Sequence, residues 1–538
     1  MNVPLTDDDT TVNKLTALIL TLLLLPLAAL AALDAAGRPN VLVILVDDLG
    51  YGDVHGNNPQ RGKISTPHLD RLASQGMRFT DAHSSSGVCS PSRYALLTGR
   101  YHWRSRLQQG IVGVWERPLI APERLTIADL AKQHGYRTAC VGKWHLGWDW
   151  GISAEQRKHF EGFGGQAGGG ATNVVTTATN AHRVTWREVF SRPLGGGPLA
   201  AGFDTYFGTD VPNWPPYCFI ENSRTVGIPS ELLPSRFLKR NPPLASLPGP
   251  ALEDWKFDAI LPTLAGRACD TIRRWAERKE RFLLYLPLTA PHEPVAVNSP
   301  WKGKSGLNAY ADFVMETDAL VGQVLDALEQ CGAAEHTLVV FTSDNGKAPY
   351  TGAAELETMG HFASGPLRGY KGSVYEGGHR VPFLVRWPGV VKPGRVCGQL
   401  VHQADIMATL ADILGSKLPD NAGEDSFSLL PLLTGGDQPV REQAVSCGAN
   451  GVPGLRQGSW KLILAPAAKA GPRVQLYNLA TDLGETNNLA PAETARVTAM
   501  QTLMERLITD GRSTPGTPQR NDVEVRRFPL RPNPQSPP

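Results

Sequence analysis

Four short apolar runs, each stopping abruptly at polar residues capable of chemistry, constrain the fold of this chain more than any other feature. Val41 to Val46 runs into Asp47-Asp48, and Thr138 to Val141 into Lys143-Trp144-His145. Phe282 to Thr289 leads to Pro291-His292, and Leu338 to Thr342 to Ser343-Asp344-Asn345-Gly346. Continuous rather than alternating apolar strands belong in a parallel sheet buried on both faces, and helical stretches such as Thr66–Gln75 and Tyr310–Gln330 supply the cover. In such sheets ligands gather beyond the carboxyl ends of the strands, so the four polar clusters are expected to converge on one edge. The competing reading is four ordinary polar loops, since most polar loop residues carry no function.

A sheet of that size needs a large core, and 538 residues that are 41% hydrophobic provide one. A net charge of +2, from 53 basic and 51 acidic residues, gives no broad attraction to nucleic acid or anionic membrane, so recognition of an anion must be local. Leu15 to Leu33 is apolar except for Thr16, Thr21 and Pro26 and ends in small residues. Residues 1–33 therefore read as a signal peptide, or as an anchor if retained, and the protein as exported: periplasmic, secreted or membrane-anchored. Asp7, Asp8 and Asp9 outnumber Lys14 ahead of that run, which departs from the usual basic start.

Residues 38–435 are expected to form the main α/β unit. Residues 436–512, with the strand-like SWKLILA and VQLYNLA runs and a helix from about Ala492 to Thr509, are expected to form a small C-terminal α+β domain. The Gly-, Thr- and Asn-rich stretch from Gly151 to Gly202 reads as an insertion or flexible loop, and Pro229 to Pro250, with six prolines, as irregular chain beside the site. Residues 513–538 hold seven prolines and are expected to lack a packed element.

Seven cysteines, at 89, 140, 218, 269, 331, 397 and 447, show neither zinc-site spacing nor the density of a disulfide scaffold, and an odd count leaves at least one unpaired. Cys89 is singled out by its surroundings. In Cys89-Ser90-Pro91-Ser92-Arg93, Pro91 suits the first turn of a helix and Gly99 its end, so Cys89 is expected at a helix N-terminus, where free N–H groups favour an anion. Arg93 lies one turn further along the same face and is expected to reach back toward residue 89. From the residues alone, a small buried cysteine before a helix is the competing reading.

Cys-x-Pro-Ser-Arg followed by Thr98-Gly99 resembles the maturation motif of the type I sulfatases, of the alkaline-phosphatase-like superfamily. The resemblance runs from about Pro39 to Leu489 and is weakest across the two irregular stretches. It implies a large mixed, mostly parallel sheet sandwiched by helices, with the smaller C-terminal domain. It also implies that a formylglycine-generating enzyme converts Cys89 to Cα-formylglycine. One hydroxyl of the hydrated aldehyde attacks sulfur, and the other lets sulfate be expelled. Asp47, Asp48, Asp344 and Asn345 match the family's metal ligands, with residue 89 itself as a further ligand. This hard oxygen set suits Ca²⁺, with Mg²⁺ the alternative. Lys143 and Lys371 match the family's sulfate-binding lysines. His292 matches the acid that protonates the leaving alcohol, and His145 the base that assists sulfate release.

The resemblance thus implies a sulfuric ester hydrolase acting on an alcohol, sugar or aryl sulfate. A phosphonate monoester or phosphodiester hydrolase of the same superfamily and a non-catalytic sulfoglycan-binding homologue are the alternatives. Two features fall outside the motifs. His379 stands where the family commonly has an apolar or small residue and reads as a substrate contact or, by default, a surface histidine. Trp148, Asp149 and Trp150 read as a sugar-stacking platform or as aromatics packed under their loop.

Overall fold

Alternate residues of the strand Asn40–Val46 (β1) enter two different cores: Val41, Val43 and Leu45 pack on one side of the sheet, and Leu42, Ile44 and Val46 on the other. None exceeds 2% exposure. A strand apolar at every position can rest only between two helical layers, and each fully buried Val, Leu or Ile contributes about 1.5–3 kcal/mol. The computed structural model describes residues 37–163, 175, 177–238, 246–465 and 474–527. The expected signal peptide, residues 1–33, lies outside them. No helix among the described residues is long and apolar enough to cross a membrane.

Nine further strands complete the main sheet: β2 (Met77–Phe79), β3 (Arg137–Lys143), β4 (Thr205–Thr209), β5 (Ile220–Glu221), β6 (Arg224–Thr225), β7 (Phe282–Pro287), β8 (Thr337–Ser343), β9 (Phe383–Arg386) and β10 (Arg395–Cys397). Their order is β10-β2-β9-β8-β1-β7-β3-β4-β5-β6. The middle five, β8-β1-β7-β3-β4, are parallel, and β9 and β5 flank them antiparallel. All four apolar runs fall in this parallel centre, with their carboxyl ends on one edge.

Helices α1 (Pro67–Gln75), α2 (Cys89–Thr98), α3 (Ile127–Gln133), α4 (Asn180–Phe190), α5 (Ile260–Glu277), α6 (Ala309–Gln330) and α7 (Asp405–Leu414) surround the sheet. Leu69 and Leu72 of α1, Leu264 and Ile272 of α5 and Val314 and Val321 of α6 cover one face. Leu96 and Leu97 of α2, Ile127 and Leu130 of α3 and Met407 and Leu410 of α7 cover the other.

A second, antiparallel sheet is built from β11 (Gln443–Cys447), β12 (Pro453–Gln457), β13 (Trp460–Leu464) and β14 (Val474–Asn478). Met500, Leu503 and Leu507 of α8 (Thr494–Thr509) pack in one cluster with this sheet and with Tyr101 and Trp103 of the main unit.

Three expectations change. Part of the Gly-rich stretch is the helix α4, anchored by fully buried Trp186. The Pro-rich stretch is pinned at its ends, where Glu231–Leu232 pairs with Pro250–Ala251; residues 164–174, 176 and 239–245 of the two stretches lie outside the described residues. The tail from 513 to 527 has no helix or strand, yet it is laid down on two buried arginines. Arg104 donates to Asn521 and Arg100 to Asp522, while Val525 is 6% exposed. Buried guanidinium groups demand acceptors, and the tail supplies them where apolar side chains are scarce.

All seven cysteines are free. Six are buried, and five of these, all but Cys89, act as small apolar core residues.

Candidate active site

α2 begins at Cys89 because Val88 before it is extended, and no side chain caps the helix start. Its first N–H groups therefore face the site without an internal partner. Gly99 ends the helix in the left-handed region at φ 65°, where glycine carries no steric penalty. Every residue of α2 is buried. Burial pushes the Cys89 thiol up to about 12 against the pull of Lys143 and Lys371, so the unmodified side chain is neutral at physiological pH. Its Sγ donates to Asp47 Oδ1 at 3.6 Å.

Around Cys89 the strand ends bring together three carboxylates and three cations. Asp47 and Asp48 follow β1, Asp344 and Asn345 follow β8, and Lys143 ends β3. Lys143 Nζ donates to Asp47 Oδ2 at 2.7 Å, and Lys371 Nζ lies 2.6 Å from Asp48 Oδ1. Arg93 does not bond residue 89; its Nε and Nη2 grip Asp344 Oδ2 at 3.1 and 2.8 Å, and its Nη1 donates to the Lys143 carbonyl at 3.1 Å. Burial disfavours charge on Asp47 and Asp48, but their cationic neighbours override it and hold both carboxyls below the usual range. Asp344 is raised by burial and by Asp47.

The two histidines are oriented by backbone carbonyls. His145 Nε2 lies 3.1 Å from the Val112 carbonyl, which can only accept, so the proton sits on Nε2 and Nδ1 is a bare acceptor. That Nδ1 is buried with no partner, and burial drives the imidazole well below its ordinary pKa. Val112 is itself fixed by donating to Ser90 Oγ at 3.1 Å, one residue from Cys89. His292 Nδ1 is 2.6 Å from the Glu293 carbonyl, leaving Nε2 facing Asp48 Oδ2 at 3.7 Å. Burial lowers His292 while Asp47 and Asp48 oppose the fall.

The residues fit a hard divalent cation. Asp47, Asp48, Cys89 and His292 each bring a ligand atom within 4.8 Å of the others. Asn345 donates from Nδ2 to Asp48 Oδ1 at 2.7 Å, but its Oδ1 is buried with no hydrogen-bond partner. An amide oxygen orphaned beside three carboxylates is a group awaiting a positive centre.

All ten site residues expected from the sequence thus meet at one sheet edge. Others had no local signal. Asp210, after β4, accepts from the His145 N–H at 3.1 Å and from Trp148 Nε1 at 3.2 Å, holding His145 at its strained φ of 53°. Tyr310 donates to the Asp48 carbonyl, with buried Lys347 3.3 Å above its ring. Two peripheral expectations resolve inward. His379 is 1% exposed and bonded among buried charges, so it is neither a surface histidine nor part of the cluster around Cys89. Trp148 and Trp150 are 1% and 3% exposed, packed under their loop instead of forming a platform.

Residues 39–416 match the family model described as Sulfatase, and residues 370–512 the one described as N-sulphoglucosamine sulphohydrolase, C-terminal. The N-acetylgalactosamine-6-O-sulfatase of Bacteroides thetaiotaomicron is 33% identical over 494 residues, 88% of this chain and 93% of that protein. Human arylsulfatase A is 31% identical, across 86% of this chain and 85% of its own length. A solved Bacteroides thetaiotaomicron sulfatase, from a core genetic locus for metabolism of multiple glycosaminoglycans, superposes with a TM-score of 0.73 at 30% identity. It covers 87% of this chain and 99% of that one.

Proposed function

This chain belongs to the sulfatase family and is a sulfuric ester hydrolase, and from that premise we propose that it desulfates a sugar through a formylglycine at position 89, with a divalent cation, preferably Ca²⁺. The observation that carries this reading is the placement of Cys89 at an uncapped helix start, within a buried cluster of three carboxylates and three cations. A neutral thiol in that place is a poor nucleophile, whereas a hydrated aldehyde supplies one hydroxyl to attack sulfur and a second to drive sulfate out.

Asp47, Asp48, Asp344 and the orphaned Asn345 Oδ1 would hold the cation together with residue 89. Bound there, the ion supplies Lewis-acid polarisation of a sulfate oxygen and lowers the proton affinity of the neighbouring hydroxyl. Lys143 and Lys371 bind the remaining sulfate oxygens as point charges and stabilise charge redistributed during displacement. Arg93 fixes Asp344 and adds positive potential behind residue 89. As the imidazolium, with its Nδ1–H held by the Glu293 carbonyl, His292 gives its Nε2 proton to the leaving alcohol, and His145 receives a proton on its bare Nδ1 as sulfate departs.

The substrate class we propose is a 6-O-sulfated amino sugar of glycosaminoglycan type, supported by the relative that spans nearly the whole chain and is named for that linkage. Export through residues 1–33 and maturation by a formylglycine-generating enzyme complete the reading. Co-expression with that enzyme should yield a tryptic peptide Phe79–Arg93 carrying an aldehyde in place of the thiol, and release of inorganic sulfate from N-acetylgalactosamine 6-sulfate. Full activity with only unmodified cysteine in that peptide would sink the formylglycine assignment.

A further inference from the structure

Tyr350 is the single aromatic side chain among the described residues with a broadly exposed ring, at 61%. A single exposed aromatic is ordinary on a protein surface, so its interest lies in where it stands. Its position is not arbitrary. The turn Pro349–Thr351 follows β8 and the Asp344-Asn345 pair, and the Lys371 N–H donates to the carbonyl of nearby Lys347 at 2.9 Å, tying that turn to the sulfate-binding loop.

The turn is also built without the Tyr350 side chain. Lys347 Nζ donates to Thr351 Oγ1 at 2.7 Å and to the Thr351 carbonyl at 3.1 Å, and the Thr351 N–H donates to the Ala348 carbonyl at 3.2 Å. Lys347 also lies 3.3 Å over the ring of Tyr310, whose hydroxyl donates to the Asp48 carbonyl, so the turn that carries Tyr350 stands beside Asp48 as well as Lys371, at the mouth of the site.

Across that mouth is a second aromatic. Trp214, half-buried on the loop after β4, sets its ring edge-on to His145 at 5.4 Å. Between the loops of β8 and β4 lie β1, β7 and β3, so at a spacing of about 4.8 Å per strand the two loops start roughly 19 Å apart. His292 and Glu293 stand between them after β7, with Asn213, next to Trp214, donating to Glu293 Oε1 at 3.0 Å. These two loops flank the strand ends that carry the charged pocket, so the carbon skeleton of a bound sulfate ester lies between them.

We propose that Tyr350 is the specificity-determining platform of this enzyme, its ring receiving the apolar face of the pyranose that bears the sulfate, with Trp214 as the opposite wall. This rests on the sugar-sulfatase reading given above. A pyranose has a C–H face that an aromatic ring desolvates well, and a Tyr or Trp packs apolar area while its polar tip stays wet. The platform that Trp148 and Trp150 cannot form, because they are buried, is provided on the other side of the mouth.

The test compares Tyr350→Ala, Tyr350→Phe and Tyr350→Trp with the wild-type enzyme on N-acetylgalactosamine 6-sulfate, with inhibition by inorganic sulfate as the control for the charged pocket. Stacking predicts that Tyr350→Ala raises KM about fivefold to tenfold, with kcat and the sulfate inhibition constant within about twofold, and that Phe and Trp restore KM. An unchanged KM in Tyr350→Ala overturns the platform, as does a loss in Tyr350→Phe equal to that in Tyr350→Ala, which would assign the effect to the hydroxyl. A wild-type enzyme that releases sulfate from aryl sulfates but from no sulfated sugar overturns the sugar reading itself.

Discussion

Two buried ionic clusters in this molecule have the same inventory and opposite characters. The active site combines Asp47, Asp48 and Asp344 with Arg93, Lys143 and Lys371, flanked by His145 and His292. The junction between the two sheets combines Asp81, Glu376 and Glu485 with Arg380, Arg456 and Lys461, flanked by His83 and His379. At the junction the charges close on one another. Lys461 lies 2.9 Å from both Glu376 and Glu485, Arg456 Nη2 donates to Asp81 at 3.0 Å, and His379 Nδ1 meets His83 Nδ1 at 3.1 Å. At the active site two acceptors, an amide oxygen and an imidazole nitrogen, remain without hydrogen-bond partners, whereas at the junction the unpartnered atoms, Arg456 Nε and Glu485 Oε1, belong to side chains that are ion-paired within the cluster. A buried cluster whose charges pair with one another holds domains together, whereas one that leaves acceptors open beside its carboxylates holds a ligand.

Replacing Cys89 by Ala should break the active cluster functionally and nothing else: sulfate release falls at least about 1,000-fold while the melting temperature stays near that of the parent, measured by turnover and calorimetry. Lys461→Met should do the reverse. It leaves Glu376 and Glu485 buried with one cation fewer and costs about 3–5 kcal/mol in chemical denaturation, while kcat of the folded enzyme is retained. A large loss of kcat in that variant, at a temperature where it is folded, would erase the distinction between the clusters.

Chelation sharpens the contrast further. Removing divalent cations should abolish turnover, and returning Ca²⁺ at about 100 times its dissociation constant should restore it and raise stability by about 2.7 kcal/mol. The stabilisation should vanish in Asn345→Ala if the orphaned oxygen is a ligand, and should persist in Lys461→Met.

The smallest expected effect is on acid stability. Burial opposes ionisation of Asp81, yet Arg456 and Arg380 hold its carboxyl far below the unfolded value of about 4. A depressed folded pKa means stability that is present above pH 4 and lost as pH falls toward the folded pKa. Asp81→Asn should therefore flatten the pH dependence of unfolding below pH 4 by up to about 1.4 kcal/mol per pH unit, and an unchanged slope would remove Asp81 from the junction cluster.

The order of residues alone was enough to place the sheet centre and to single out ten residues that the fold brings to one edge. Continuous apolar runs admit only a doubly covered parallel sheet, and the carboxyl ends of such strands lie on one edge, so Asp47, Lys143, His292 and Asp344 were placed together by local pattern alone. Pro91 and Gly99 likewise marked the helix that carries Cys89. Tertiary structure decided whatever depends on burial and partners. Nothing in the order of residues tells that Arg93 grips Asp344 and not residue 89, that His379 is sealed against Lys461, or that Tyr350 and not Trp148 faces solvent. Periodicity is a property of neighbours in the chain, whereas the satisfaction of a polar group is decided by residues hundreds of positions away.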